Sequence, residues 1–77
     1  MRVFAKKEEL KEMIIRWGLR QKKQTSQAGF AKEAGLSPEG LSNIINGHSS
    51  PRPKTRGRIM KALGLKGAAW KKIWVEK

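Results

Sequence analysis

The sequence predicts an all-α fold: four or five short helices on one core. Three observations carry this. Apolar residues recur at helical rather than alternating spacing. Good N-caps and helix-stopping glycines punctuate these runs in matching places. The 77 residues contain no internal repeat, low-complexity tract or linker, so residues 1–77 read as a single domain.

Between about Lys6 and Lys23, Leu10, Met13, Ile14 and Trp17 fall at i, i+3, i+4 and i+7, the stripe of an amphipathic helix. Ile15 and Leu19 lie off that stripe and widen the expected buried arc. Gln24-Thr25-Ser26 makes a break, with Ser26 suited to cap a second helix over 27–34 that Gly35 ends. Ser37 then caps a third helix, with Pro38 at its first position, where a missing N–H does no harm. Asn46-Gly47 closes it. After a polar loop, His48 to Arg52, Pro53 opens a fourth helix that runs to Leu63 and stops at Gly64. In the last stretch Trp70, Ile73 and Trp74 sit at i, i+3 and i+4, which argues for one helical turn, although Ile73-Trp74-Val75 alone could be extended. Val3-Phe4-Ala5 is open between a short strand and an ordered arm.

Composition narrows the function classes. There are no cysteines, which excludes thiolate metal sites and a cysteine nucleophile. His48 is the sole histidine and cannot build a metal cluster alone. No acid pair, nucleophile–base pair or phosphate loop stands out, so no catalytic residue, metal, cofactor or small-molecule substrate is expected. The longest apolar runs are two or three residues, against roughly 20 for a spanning helix, and no signal-peptide core is present. A cytoplasmic, nucleoid-associated protein is therefore expected.

Eighteen Lys and Arg against six Asp and Glu give a formal charge of +12 and a pI near 10.9. Residues 1–12 are nearly balanced, with Arg2, Lys6, Lys7 and Lys11 facing Glu8, Glu9 and Glu12. The surplus thus lies in the body of the chain, as a face pressed against a polyanion requires.

Residues 27–47, QAGFAKEAGLSPEGLSNIING, concentrate the information. Two helices crossing through a tight turn need a small residue at the crossing, which Ala31 supplies. The turn needs a residue tolerant of positive φ, which Gly35 supplies. Phe30, Leu36, Leu41 and Ile44 are then expected to face inward, leaving Glu39, Ser42, Asn43 and Asn46 outward on the third helix. Such small polar groups, both donors and acceptors, suit base edges in the major groove.

In combination these residues resemble the lambda-repressor-like, or Xre-type, helix-turn-helix proteins of phages and bacteria. The family's pattern appears as Leu19-Arg20, Ser26-Gln27, Ala31, Gly35, Leu41-Ser42, Asn46-Gly47, Pro51 and Ala62-Leu63-Gly64, in register and without a gap. The resemblance covers about residues 10–65, and the ending WKKIWVEK is similar to the aromatic tail of compact members. One departure stands in the fourth helix. The family usually carries a run of leucines where this chain has Pro53, Arg56 and Gly57, so the apolar face shrinks to Ile59, Met60, Ala62 and Leu63. With Gly29, Gly40 and Gly57 each expected to cost about 1 kcal/mol inside a helix, a marginally stable domain leaning on Trp70 and Trp74 or on a second subunit is expected.

The resemblance implies double-stranded DNA as partner, met through the major groove by a transcriptional regulator, a small phage or mobile-element repressor. A homodimer on a palindromic site is the family expectation, while some members bind as monomers, so the choice stays open. Glu39, Ser42 and Asn43 are the expected base readers: Asn bonds adenine in a bidentate way, Ser takes either polarity, and Glu accepts from cytosine N4. Glu39 equally serves the helix dipole at its position in the first turn. Gln27, Asn46, Arg52 and Lys54 are the expected backbone contacts, while Arg56 and Arg58 read as a solvated helix face, with a wider DNA-facing surface as the alternative. Two alternatives stay open: the antitoxin of a toxin–antitoxin pair with the same fold, and a nonspecific basic nucleic-acid-binding module.

Overall fold

The computed structural model describes residues 2–20 and 27–77. The elements run β1 (Val3–Ala5), α1 (Lys7–Arg20), α2 (Gln27–Glu33), α3 (Pro38–Ile45) and α4 (Pro53–Leu63). A 3₁₀ turn (Gly67–Ala69), α5 (Trp70–Ile73) and β2 (Trp74–Glu76) follow. The expected all-α domain is there, with five α-helices among the described residues. The expected break at Gln24-Thr25-Ser26, the Ser26 cap and the end of the first helix beyond Arg20 lie outside the described residues.

Both chain ends resolve their open alternatives. Trp70–Ile73 is a single helical turn, and the chain then becomes extended at Trp74. β2 pairs antiparallel with β1, with Val3 opposite Glu76, Phe4 opposite Val75 and Ala5 opposite Trp74. Reciprocal backbone bonds between Arg2 and Lys77, and the Lys6 amide on the Ile73 carbonyl at 2.7 Å, extend the ladder at both ends. A two-stranded ribbon alone is marginal in water, and this one is held because its inner face packs on the helices. Trp74 is buried, and Val3 and Ala5 lie against the core.

The core joins Leu10, Ile14 and Trp17 of α1 to Phe30 and Ala31 of α2, Leu41, Ile44 and Ile45 of α3, and Ile59, Met60 and Leu63 of α4, with Ile73 and Trp74 sealing it. Trp17 meets Phe30 edge-on, ring centroids 5.2 Å apart and planes at 80°, an arrangement worth about 0.5–1.5 kcal/mol beyond the area it buries. The expected reduction of the α4 apolar face is seen: Ile59, Met60 and Leu63 are buried, and Ala62 is half-buried. Of the two tryptophans, Trp74 is buried at 1% exposure, and Trp70 is half-buried against the core.

Two expectations are corrected. Ile15 and Leu19 do not widen the buried arc of α1; they are 53% and 69% exposed. Successive helical residues turn by about 100°, so the packed arc through Leu10, Ile14, Trp17 and Gly18 leaves Ile15 and Leu19 on the neighbouring face. Gly40, in turn, is not an idle cost in its helix. A Cβ there would lie 2.9 Å from the Ser37 Oγ that caps the helix. Gly57 has open space around it and remains a plain propensity cost.

Candidate nucleic-acid interface

The turn between α2 and α3 is built by backbone bonding that the sequence prepares. At the end of α2 the Gly35 amide donates to the Lys32 carbonyl, and the Leu36 amide reaches back to the Ala31 carbonyl at 2.7 Å. This paired closure requires a left-handed residue, and Gly35 adopts φ +74°. Two residues on, extended Ser37 caps α3 by accepting the Gly40 amide at 3.0 Å, with Pro38 in the first turn. Phe30, Ala31, Leu41 and Ile44 are buried and Leu36 is half-buried, so the inward set lies where the sequence placed it.

With those residues inward, the outward face of α3 is fixed. Glu39 and Asn43 are exposed and Ser42 is half-buried, and with exposed Asn46 they form one stripe along the helix. Ser42 and Asn46 are coupled: the Asn46 Nδ2 donates to the Ser42 Oγ at 3.3 Å. The Ser42 hydroxyl accepts this bond and retains a proton of its own to donate. Glu39 lies in the first turn of α3, where a carboxylate is favoured by the helix dipole.

The loop after α3 is tied at several points. The His48 and Ser49 amides both donate to the Asn43 carbonyl, folding the loop back on the last turn of the helix. The Ser50 hydroxyl donates to the Val3 carbonyl at 2.8 Å, and the Arg56 guanidinium donates to the Pro51 carbonyl at 2.7 Å. Pro51 is buried, while Arg52 and Lys54 stand exposed on either side of Pro53, which opens α4. A rigid frame thus presents two cations close to the end of α3. Gln27 is exposed at the first residue of α2.

Arg56 departs from the solvated face expected of it. It is half-buried and works as a staple for the loop. Exposed Arg58 points its guanidinium toward the turn, 4.0 Å from where a Cβ on Gly35 would lie. Spacing alone could not bring Arg58 to that turn, because the approach depends on how α4 packs. Among the described residues no three His, Asp or Glu gather into a cluster that could hold a metal, and no helix is long and apolar enough to cross a membrane.

A capped helix presenting small polar groups, joined to a second helix through a glycine turn and flanked by cations, defines a DNA-binding helix-turn-helix domain. The chain matches the helix-turn-helix family over residues 19–70 and belongs to it, in the lambda-repressor-like or Xre-type branch. No curated protein and no solved structure gave a significant match. Family membership supports a DNA-binding regulator.

Proposed function

We propose that the protein is a sequence-specific regulator of transcription that binds duplex DNA through the major groove, a small repressor of a phage or mobile element. The observation that carries this reading is the outward stripe of exposed Glu39, Asn43 and Asn46 with half-buried Ser42, on a capped helix whose opposite face is locked into the core. In this reading α3 enters the groove. Asn43 reads a base with both its donor and its acceptor, Ser42 donates from its free proton, and Glu39 accepts from cytosine while supporting its own helix. Asn46, Arg52 and Lys54 grip the phosphates on one side of the groove and Gln27 on the other. Two copies on a palindrome, one helical turn of DNA apart, is the arrangement proposed.

A fluorescence titration of selected against scrambled duplexes at several salt concentrations tests this. Preference for the selected duplex, with affinity falling steeply as salt rises, is expected.

A second reading, an antitoxin with the same fold, draws on Ile15 and Leu19, apolar and exposed four residues apart on α1. A toxin encoded beside the gene would cover them. A stable complex with that neighbour, lost on Ile15→Lys, supports this reading, and no complex removes it.

A further inference from the structure

The terminal hairpin and the end of α3 enclose an open groove of about 500 Å3, lined by Phe4, Lys6, Lys7, Asn46, Gly47 and Lys77 among others, with no acidic side chain on its walls. We propose that this groove is a second seat for the DNA backbone, taking the phosphates that continue past the C-terminal end of α3. The inference rests on the proposal that α3 meets DNA, and it extends the interface onto an element outside the helix-turn-helix.

Strand geometry sorts the charges. Side chains alternate between the faces of a ribbon, so Arg2, Phe4 and Lys6 share one face with Val75 and Lys77 of the partner strand. Glu76 falls on the opposite face with Trp74, which is turned into the core. The Lys77 ammonium lies 5.9 Å from the centre of the Phe4 ring, so the ring backs a cation on the groove wall. Glu9 and Glu12 line a neighbouring depression with Lys71 and Lys72, on the far side of Lys6, which borders both. The charged side chains on the groove wall are therefore all basic: Lys6, Lys7 and Lys77.

Its position specifies the ligand. The groove is continuous with Asn46 and Gly47, and Asn46 is a proposed phosphate contact of the primary site. Ser50 bonds β1 to the loop that carries Arg52, so hairpin, loop and α3 form one frame. A strand held by Asn46, Arg52 and Lys54 has its next phosphates available to this groove. A polyanion with regularly spaced charges fits a surface of separate, solvated ammonium groups better than a small anion does, because no buried donor converges on one point.

The test uses the full chain and a duplex selected from a random pool, with affinity measured from low to high salt. The double variant Lys7→Gln with Lys77→Gln is compared with Lys71→Gln with Lys72→Gln, which removes the same charge outside the groove. The groove variant should lower the slope of log affinity against log salt by about 2, one per lost phosphate contact, and the control by far less. Ethylation interference should lose protected phosphates at the edge of the footprint in the groove variant alone. Equal slopes for the two variants, with wild-type binding intact, overturn the groove assignment and leave the role of α3 standing. Absence of salt-dependent binding by the wild-type chain overturns both.

Discussion

The Ser37 Oγ lies 3.0 Å from the Gly40 amide that it caps, and a Cβ on Gly40 would lie 2.9 Å from the same oxygen. The glycine and the cap are one device at the start of α3. Alanine should lower the propensity cost of a helical glycine by about 1 kcal/mol, but at residue 40 it displaces a cap worth about the same. Gly57, with nothing within 4 Å of its missing Cβ, has no such opposing cost. Gly57→Ala is expected to stabilise the domain by about 1 kcal/mol, or about 4–8 °C in Tm, and Gly40→Ala to give no gain. Urea and thermal unfolding decide it, and an equal gain at both positions refutes the coupling.

Trp74 closes the core, 1% exposed, and its indole N–H is buried without a hydrogen-bond partner among the described residues. Truncation to alanine leaves a cavity costing about 3–5 kcal/mol, most of the stability a domain of this size has. Trp74→Phe loses volume but also removes a buried unpaired donor that costs about 1–3 kcal/mol. Circular dichroism in urea should find Trp74→Ala largely unfolded and Trp74→Phe close to wild type. Comparable losses in the two would show that the unpaired N–H costs little.

Ile14 and Ile15 are sequence neighbours with opposite fates, 3% and 53% exposed. Ile14→Ala should cost about 2–5 kcal/mol, whereas Ile15→Gln should stay within about 0.5 kcal/mol of wild type. Chemical denaturation measures both, and a large loss at Ile15 would return it to the packed arc of α1.

Arg52 and Lys54 stand exposed beside the rigid loop and are proposed to hold phosphates. Glutamine at either should weaken binding uniformly across sequences and lower the salt slope by about 1. A change confined to particular sequences would instead mark that residue as a base reader.

Much of the fold was legible because local chemistry and tertiary need agree in this chain. Ser37-Pro38 and Gly35 mark their boundaries through backbone requirements that no distant contact overrides. The periodic apolar residues of α2 and α3 went inward for the same reason. What the sequence left open depended on distant partners. Whether Ile73-Trp74-Val75 coiled or extended was decided by pairing with Val3–Ala5, some seventy residues away. Ile15 and Leu19 misled because an apolar side chain one step off a stripe looks like a wider stripe until the neighbouring helices are placed. The outward set on α3 followed from the inward set, yet the Asn46–Ser42 bond, the Arg56 staple and the basic groove at the hairpin arise only from packing.

The central claim is that α3 reads sequence in duplex DNA, and Asn43 offers its most direct test. DNA selected from a random pool with the wild-type chain should converge on a defined half-site, repeated about 10 base pairs away if two copies bind. The affinity of that duplex should fall with salt as about five to seven phosphate contacts require. Asn43→Ala should still bind but lose about 1–3 kcal/mol of discrimination at one base pair, because the backbone contacts stay in place. Equal wild-type affinity for every duplex, or no binding at low salt, would contradict the account.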